Sequence, residues 1–534
     1  MFLPRVREEV CGTKNVSVMF PLGVACADVY SEKLLDVLNE FMPYGKFVPC
    51  EAAVAAVEVA VVPGISAYAE YYELCIRGGK ISIRAKDYRG LVNAAATLAR
   101  AIKCENGAFL LPDVEIRDYP DSVFRSFMVD PARNVIPMDE MRALIVGMAK
   151  SKFNKLHMHL SDGQGYAFAS EQYPDLPKSP GPVYSKEDLQ ALVAYAGLFG
   201  IDIIPEIDVP AHSTALTGWM PELKCKVRAA DGSYENISGW NMCLANEKGY
   251  TFIANILSEL AAIFPYEYIH VGTDEMDMRD IKRENPPYSY SCRCEVCNAL
   301  FAPMGLDTLN SRFEYFVRRI YKIVTALGKK MMMWNDDVDI SKSPDIPHDI
   351  LIEFWRVAAP ERGPVEGCSM QRFLDEGFEV VNADFPNAYL DEYIQWDQLK
   401  NWNIKREPAD AGERAYQILG GEMCAWEGSN YPHYLYSTYY AFPAFGDRVW
   451  NLSPIGDEKA ATLALTRACL GCDCPNDFDL FAFLCGVPLG DARAMDGNIF
   501  KSDADKEVLR KQLEQTVHAS RNELHLARAL MNLL

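Results

Sequence analysis

Residues 268–277 read Tyr-Ile-His-Val-Gly-Thr-Asp-Glu-Met-Asp, a short apolar run that ends at two adjacent acids, Asp274 and Glu275. Neighbouring side chains on a strand point to opposite faces, so both acids reach one cleft only where the strand ends and the backbone turns. Two acids at such a point favour acid–base chemistry on a polar, uncharged substrate. For this stretch alone, a solvated acidic pair that opens a helix is the simpler alternative.

The run is the fourth of eight short apolar runs that alternate with helical patterns. Eight strand–helix units predict an α/β fold, a (β/α)8 TIM barrel with some long loops. A doubly wound open sheet is the alternative, but no Gly-rich phosphate loop follows its first strand. The eight runs are Val123–Val129, Lys155–Leu160, Asp202–Ile207, Tyr268–Gly272, Lys330–Met333, Ile350–Phe354, Phe378–Asn382 and Ile418–Cys424.

Two further segments flank the predicted barrel, which we expect to occupy residues 119–455. Residues 1–118 have the pattern of a small N-terminal α/β domain, with a helix over Gly90–Ile102. Residues 456–534 have the pattern of a helical C-terminal region. The amphipathic stretch 503–533 in that region indicates a helix that packs on the barrel or, alternatively, forms a homodimer contact.

Charge and composition exclude several classes of function. The net charge of −21 argues against nucleic-acid binding, because a phosphate backbone requires a basic surface. No run of about 18 apolar residues is present, so we expect no membrane association through a spanning helix. The first ten residues carry charges and no apolar segment, which predicts a cytoplasmic location unless a leader has been removed.

A (β/α)8 barrel should carry its functional side chains where the strands end. Acids, one arginine and several aromatic residues follow the predicted strands. Aromatic rings stack on the apolar faces of sugars, and carboxylates and arginine bind hydroxyls through charge-assisted hydrogen bonds, so the pattern predicts a carbohydrate site. These side chains are Asp130, Arg133, Asp162, Glu206, Asp208, His212, Asp274, Glu275, Trp334, Trp355, Tyr389, Asp391, Trp426 and Glu427.

Six blocks, in order along the chain, resemble glycoside hydrolase family 20, the β-N-acetylhexosaminidases. The segment from His270 to Glu275 is similar to the family signature His-x-Gly-Gly-Asp-Glu. The family places a small domain before its barrel, and Gly79–Ile102 is similar to the end of that domain. The other four blocks, similar to the first, second, third and seventh strand motifs, are Asp130–Arg133, Asn154–Gly165, Ile204–His212 and Tyr389–Asp391.

The resemblance implies a retaining glycosidase that uses no enzymic nucleophile. The 2-acetamido oxygen of the substrate attacks the anomeric carbon and gives an oxazolinium intermediate. By position, Glu275 is the general acid and then the base that activates water. Asp274 orients the acetamide and stabilises the positive charge that develops on its nitrogen. The implied substrate is a glycan with a terminal, non-reducing N-acetylhexosamine, and no cofactor or catalytic metal is implied.

The resemblance also assigns the sugar pocket by position. Arg133 matches the arginine that holds the 3- and 4-hydroxyls, and Tyr389 matches the tyrosine that hydrogen-bonds the acetamide oxygen. The remaining matches contact the acid and the sugar (Asp162, His212), wall the pocket (Trp334, Trp355, Trp426) or bind the outer hydroxyls (Asp391, Glu427).

Four positions depart from the family pattern. Thr273 replaces the usual glycine before the acids, Gly163 replaces a frequent aspartate, and Ala211 replaces the usual glycine before a histidine. Glu427 directly follows Trp426, where the family usually has one residue between them. These departures leave the catalytic residues in place but leave the exact substrate open. Two alternatives to the N-acetylhexosaminidase are a carbohydrate-binding barrel that has lost catalysis, and a related glycosidase that releases a disaccharide or a modified N-acetylhexosamine.

The segment Cys292-Arg-Cys294-Glu-Val-Cys297 is not explained by the resemblance. Three thiols in six residues could hold zinc if a fourth ligand joined them. No second Cys-x-x-Cys pair and no nearby histidine completes a set, so free thiols are favoured over a metal.

Overall fold

The computed structural model describes residues 3–456, with gaps. Asp391, Glu427 and the predicted C-terminal region from residue 457 onward lie outside the described residues. The gaps are residues 27, 43–44, 106–107, 237–239, 277–289, 337, 356–368, 386, 391–398, 400–401, 406–411 and 427–441.

The N-terminal segment forms a mixed eight-stranded sheet with two helices, Val29–Phe41 and Tyr88–Ala101. The helices contact each other, the sheet and the first barrel helix. Asp87 caps the second helix by accepting from the Gly90 amide, which starts it two residues before the predicted Gly90. In sheet order the strands are Glu8–Val18, Ala108–Asp118, Tyr72–Arg77, Lys80–Ala85, Val57–Val61, Leu22–Ala25 and Phe47–Cys50; Lys103–Glu105 pairs beside Ala108–Asp118.

Eight parallel strands close into a barrel, which confirms the predicted (β/α)8 fold and shows the open-sheet alternative to be wrong. Each strand overlaps one of the eight predicted apolar runs, because strands buried on both faces read as continuous apolar segments. In chain order the strands are Phe124–Val129, Lys155–His159, Asp202–Glu206, Tyr268–His270, Lys330–Trp334, Leu351–Phe354, Val380–Asn382 and Ile418–Ala425.

Helices and short elements fill the connections between the barrel strands. Within the described ranges, no helix is both long enough and apolar enough to cross a membrane. The helices are Met138–Lys150, Lys186–Leu198, Thr214–Trp219, Glu247–Ile263, Tyr290–Arg293, Glu295–Phe301, Leu309–Ala326, Met370–Asp375 and 442–450. Short strands are Ser161–Asp162, Gly165–Tyr166, Lys226–Arg228 and Tyr234–Asn236, and 3-10 turns are Ala52–Val54, Pro221–Leu223, Ala302–Met304 and Gly412–Gln417.

Candidate active site

A buried layer of polar side chains lies at the base of the site and centres on Glu206, the last residue of the third barrel strand. Its Oε1 accepts from Trp334 Nε1 at 2.9 Å and lies 3.0 Å from His270 Nδ1. Its Oε2 lies 2.5 Å from His159 Nδ1. Although burial opposes the charged form, His159 and His270 hold the pKa of Glu206 well below its ordinary value. Glu206 therefore fixes the orientation of the Trp334, His159 and His270 rings beneath the site.

A sharp turn follows the fourth barrel strand, Tyr268–His270, and leads to the two acids. Gly272, Thr273 and Glu275 have φ values of 64, 81 and 52°. A Cβ at Gly272 would lie 1.9 Å from Asp208 Oδ1, so only glycine fits there. The turn breaks the alternation of the strand, and it is what allows two adjacent acids to face one cleft.

His212 connects the two acids with the second strand. Its Nε2 lies 3.5 Å from Asp274 Oδ2 and 3.8 Å from Glu275 Oε2. Its Nδ1 lies 2.9 Å from Asp162 Oδ2, and its ring contacts Trp240 at a centroid separation of 4.2 Å. Asp274 is nearly buried, whereas 23% of the Glu275 side chain is exposed, so Glu275 is the acid that faces the opening of the cleft.

The pKa values of His212 and of the two carboxyl groups next to it, Asp274 and Asp162, are shifted in different directions. Burial raises the pKa of Asp274 to about 7; His212 opposes this shift, while the charges of Asp336 and Glu275 reinforce it. Burial lowers the pKa of His212, but Asp274 and Asp162 more than offset that effect and leave the pKa above its ordinary value. Asp162 keeps a low pKa despite its burial, because histidine side chains donate to it.

Arg133 is held at the rim by two carboxylates. Its Nη1 donates to Asp130 Oδ2 at 2.7 Å, and its Nη2 lies 2.8 Å from Asp162 Oδ2. Its guanidinium lies over the ring of Trp426, 5.2 Å from the centroid. A guanidinium fixed in this way presents a planar donor surface that suits vicinal hydroxyls.

Aromatic side chains form a wall of the site that continues from Trp426, next to Arg133. Trp355 and Tyr389 stack at 6.0 Å, and Tyr389 lies 6.4 Å from Trp426. Trp334 lies beneath, almost fully buried and 5.9 Å from the ring of Trp426. Trp355 Nε1 donates to Asp336 Oδ1 at 2.9 Å, which fixes its ring relative to the acids. Flat apolar walls next to a carboxylate pair suit a small ligand that has both apolar faces and polar groups.

The predicted site residues that the structure describes all lie at the carboxyl end of the barrel and form one connected set. These are Arg133, Asp162, His212, Asp274, Glu275, Trp334, Trp355, Tyr389 and Trp426. Sequence reasoning missed the contribution of Asp336 and Trp240. Asp336 stands two residues after Trp334 at a strand end, where the same positional argument applies; Trp240 lies in a long loop and had no signal.

Several groups of side chains approach one another closely enough to hold a metal ion. Those in the barrel interior combine histidines with carboxylates that already contact them, as His157 does with Glu422 at 2.8 Å. Direct pairing of this kind holds a histidine against a carboxylate, although His157 Nε2, Glu422 Oε2 and both carboxylate oxygens of Glu353 have no hydrogen-bond partner among the described residues. The group formed by Cys225, Cys243, Cys294 and Cys297 contains no such acid–base pair.

Two family models match the chain. Residues 123–452 match the catalytic domain of glycosyl hydrolase family 20, and residues 28–119 match domain 2 of the same family. The first match covers the closed barrel together with every described site residue, and the second covers most of the N-terminal sheet.

Curated relatives carry the name β-hexosaminidase. Subunit A1 of the enzyme from Dictyostelium discoideum is 27% identical over 74% of this chain and 72% of its own length. The enzyme from Emericella nidulans is 29% identical over 66% of this chain and 59% of its own length, and that from Vibrio furnissii is 28% identical over 60% and 52%. The matched region thus spans between about half and three quarters of these relatives.

Solved structures share the fold. The chitobiase of Flavobacterium johnsoniae superposes with a TM-score of 0.74 at 21% identity, over 95% of this chain and 77% of the other. An exo-β-N-acetylglucosaminidase from Vibrio harveyi in complex with N-acetylglucosamine gives 0.73 at 22% identity, over 91% and 78%.

Proposed function

Because the chain belongs to glycosyl hydrolase family 20 and is therefore a glycoside hydrolase, we propose that it is an exo-acting, retaining β-N-acetylhexosaminidase. It removes a terminal, non-reducing N-acetylhexosamine from a glycan by substrate-assisted catalysis through an oxazolinium intermediate. Relatives named β-hexosaminidase support the activity, and the geometry of the two adjacent acids supports the mechanism.

The observation that carries the mechanism is the state of Asp274. Its Oδ2 faces His212, and its buried Oδ1 accepts from no N–H group of the described residues; Asp208, whose pKa is raised well above its ordinary value by burial and by the charge of Asp274, lies beside it. A buried carboxylate oxygen without a donor is costly unless a ligand supplies one. The acetamide N–H of the substrate is such a donor. Asp274 would thus orient the acetamide and stabilise the positive charge that develops as its oxygen attacks the anomeric carbon.

Glu275 takes the role of general acid and base. Its partly exposed carboxyl group suits proton delivery to the leaving glycosidic oxygen, and a water molecule can then reach the same group. Glu275 lies next to Asp274 in the chain and need not reach the anomeric carbon itself, because the attacking oxygen belongs to the substrate. This division of labour accounts for two acids that share one strand end.

The rest of the site supports recognition of one terminal sugar. Arg133, together with Asp162, would bind ring hydroxyls, and the stacked Trp355 and Tyr389 with Trp426 would enclose the acetamide methyl. Asp391 and Glu427, outside the described residues, are proposed from the resemblance to bind the outer hydroxyls.

The alternative functions make different predictions about substrate. A binding protein without catalysis would retain the sugar contacts, yet this chain keeps both acids in contact with His212. A glycosidase that releases a disaccharide requires a longer cleft beyond the first sugar. The loop from residue 209 to 246 and the loop from residue 276 to 305 would form that cleft, and both include residues outside the described set.

The test is hydrolysis of 4-nitrophenyl N-acetyl-β-glucosaminide beside the plain 4-nitrophenyl β-glucoside. We expect cleavage of only the N-acetylated sugar, strong inhibition by a thiazoline analogue of the intermediate, and the β-anomer as the first product detected by NMR. Cleavage of both sugars, or the α-anomer as the first product, would contradict the mechanism. Thiazoline binding without cleavage would favour the alternative of a larger substrate. Absence of both binding and cleavage would favour the alternative of a barrel that has lost catalysis.

We also propose a cytoplasmic location and a homodimer. The ten cysteines whose side chains are described form no disulfide, and several are buried, which suits a reducing compartment. The dimer rests on the amphipathic pattern of residues 503–533, outside the described residues. Cell fractionation tests the first proposal, and light scattering on the purified protein tests the second.

A further inference from the structure

Four cysteines that are far apart in the sequence meet in one buried cluster. The sulfurs of Cys225, Cys243, Cys294 and Cys297 all lie within 4.8 Å of one another, and each residue is at most 1% exposed. Individual Sγ–Sγ separations are 3.4 Å for Cys243 and Cys297, 3.9 Å for Cys225 and Cys297, and 3.9 Å for Cys243 and Cys294. The barrel mechanism uses none of these side chains.

The separations fit a single tetrahedral ion. Zinc–sulfur bonds of about 2.3 Å set the ligand sulfurs of a tetrahedron about 3.8 Å apart. A disulfide requires about 2.05 Å, well below the shortest separation in this cluster. An iron–sulfur cluster has to fit between its thiolates and would hold them further apart than four sulfurs that all lie within 4.8 Å.

We propose that Cys225, Cys243, Cys294 and Cys297 bind a structural zinc ion. Thiolates are the ligands that select zinc over the hard cations magnesium and calcium, and four protein ligands leave no open position for catalysis. The cluster is enclosed by apolar core residues, which excludes water from the ion. The inference is independent of the proposed glycosidase chemistry.

The sequence draws attention to a different set of three thiols, Cys292, Cys294 and Cys297, and favours free thiols over a metal there. Cys294 and Cys297 belong to it and form a Cys-x-x-Cys pair, with Cys294 as the N-cap of the helix Glu295–Phe301. Cys292 does not: it is partly exposed, and its sulfur contacts the carbonyl of Asp307 at 3.9 Å. The missing ligands come from a distant loop, which is why spacing within one segment did not reveal them.

The proposed ion joins two loops that both lead from the active site. Cys225 and Cys243 lie in the connection after the third barrel strand, which also carries His212 and Trp240. Cys294 and Cys297 lie in the connection after the fourth strand, which begins with Asp274 and Glu275. The ion would link these two connections and limit their movement relative to each other. Its role would therefore be to position the segments that carry His212 and the two acids.

Protein contacts near the cluster are weaker than a metal bond. Arg228 and Glu295 form an ion pair between the two loops at 3.6 Å, with both side chains exposed to solvent. Buried Arg312 fixes the cysteine pair from its own side, donating to the Ser291 carbonyl and to Asn298 Oδ1. Besides the contact of His212 with the two acids at the start of the loops, the thiol cluster is thus a second buried junction between the described parts of these connections.

The first experiment measures metal in the purified full-length chain by mass spectrometry. We expect about one zinc ion per chain, released in proportion when a mercurial titrates the thiols. The double variant Cys243→Ser/Cys297→Ser should lose at least nine tenths of it, while the matched control Cys292→Ser keeps the wild-type content. Absence of zinc from the wild type, iron with visible absorption, or zinc loss from Cys292→Ser alone would overturn the proposal.

A second set of measurements stays informative if the double variant does not fold. Alkylation of denatured wild-type protein without reductant, located by peptide mass spectrometry, should label all four cysteines, and two of the four left unlabelled would mean a disulfide and overturn the site. Exchange of the ion for cobalt should give the absorption of a tetrahedral thiolate complex. Chelation of the wild-type ion should raise amide hydrogen exchange in Glu295–Phe301 and around Cys225, with Lys186–Leu198 unchanged as the internal reference.

Discussion

At the scale of single residues, the loss of activity on substitution of Glu275 should be larger for substrates with poorer leaving groups. Glu275→Gln keeps the size of the side chain but cannot deliver a proton. We expect a loss of about 10²- to 10⁴-fold on glycans with sugar leaving groups and a much smaller loss on activated aryl glycosides, which need no protonation. The measurement is kcat/KM for both substrates. An equal loss on the two would exclude the role of general acid.

Asp274 should behave differently, although it is the next residue. Asp274→Asn removes the negative charge opposite the acetamide, and that charge is needed whatever group leaves. We expect activity on sugar and aryl substrates to fall together, by about 10²-fold or more. Affinity for the thiazoline analogue should fall as well. Full activity of Asp274→Asn on either substrate would contradict its assignment.

The pKa of Asp274 makes a prediction about pH. Burial and nearby carboxylates raise it to about 7, so the group takes up a proton as the pH falls through 7. The proposed mechanism needs the anion, and kcat/KM should therefore decrease on the acid side of pH 7. The same raised pKa destabilises the fold as pH rises from the unfolded value toward 7, because the native state then binds more protons than the unfolded state.

Asp336→Asn provides the matched variant for this pH dependence. It removes one of the charges that raise the pKa of Asp274 and keeps an oxygen that can accept from Trp355 Nε1. The acid limb of the kcat/KM profile should move to lower pH. An unchanged limb would mean that a different group governs it, since apparent pKa values in a coupled site belong to the whole set.

At the scale of elements, the turn after the fourth strand contains a residue in an unfavourable conformation. Thr273 has φ of 81° and a buried hydroxyl without a hydrogen-bond partner among the described residues. Thr273→Gly should raise the free energy of unfolding by about 1 kcal/mol, as relief of backbone strain outweighs the added chain entropy. Thr251→Gly in the exposed middle of Glu247–Ile263 is the control and should lower it by about 1 kcal/mol. Denaturant unfolding measures the free energy of unfolding of both variants. A lower free energy of unfolding for Thr273→Gly than for the wild type would contradict the inference that Thr273 is strained.

The same turn shows how far sequence reasoning reached. Strands such as Tyr268–His270 were predictable because a closed barrel buries both faces of each strand, and apolar runs record that burial. The acids were predictable because barrel strands end at one rim. Trp240 and the partners of Cys294 were not, since long loops are folded by contacts between distant segments that leave no periodic pattern in the sequence.

At the scale of the whole molecule, the small domain and the barrel share buried ion pairs. Glu70 of the N-terminal domain accepts from Arg125 Nη2 at 2.5 Å and from Asn154 Nδ2 at 3.0 Å, both on the barrel. Lys152 of the barrel donates to Asp118 at 2.7 Å and lies over the ring of Trp450. Buried charges held by partners from two domains oppose separation, because each would be left unpaired.

This junction predicts that the two parts unfold together. Differential scanning calorimetry on the full chain should give one transition over the domain and the barrel. Glu70→Gln leaves the buried guanidinium of Arg125 without its counter-charge, which should cost about 3 kcal/mol and either lower the midpoint by several degrees or split the transition. Glu115→Gln, which removes the partner of Arg77 on the exposed face of the same sheet, is the control and should leave the midpoint unchanged. Two transitions in the wild type would show that the domains are independent, and the small domain would then be an attachment that leaves the active site untouched when it melts.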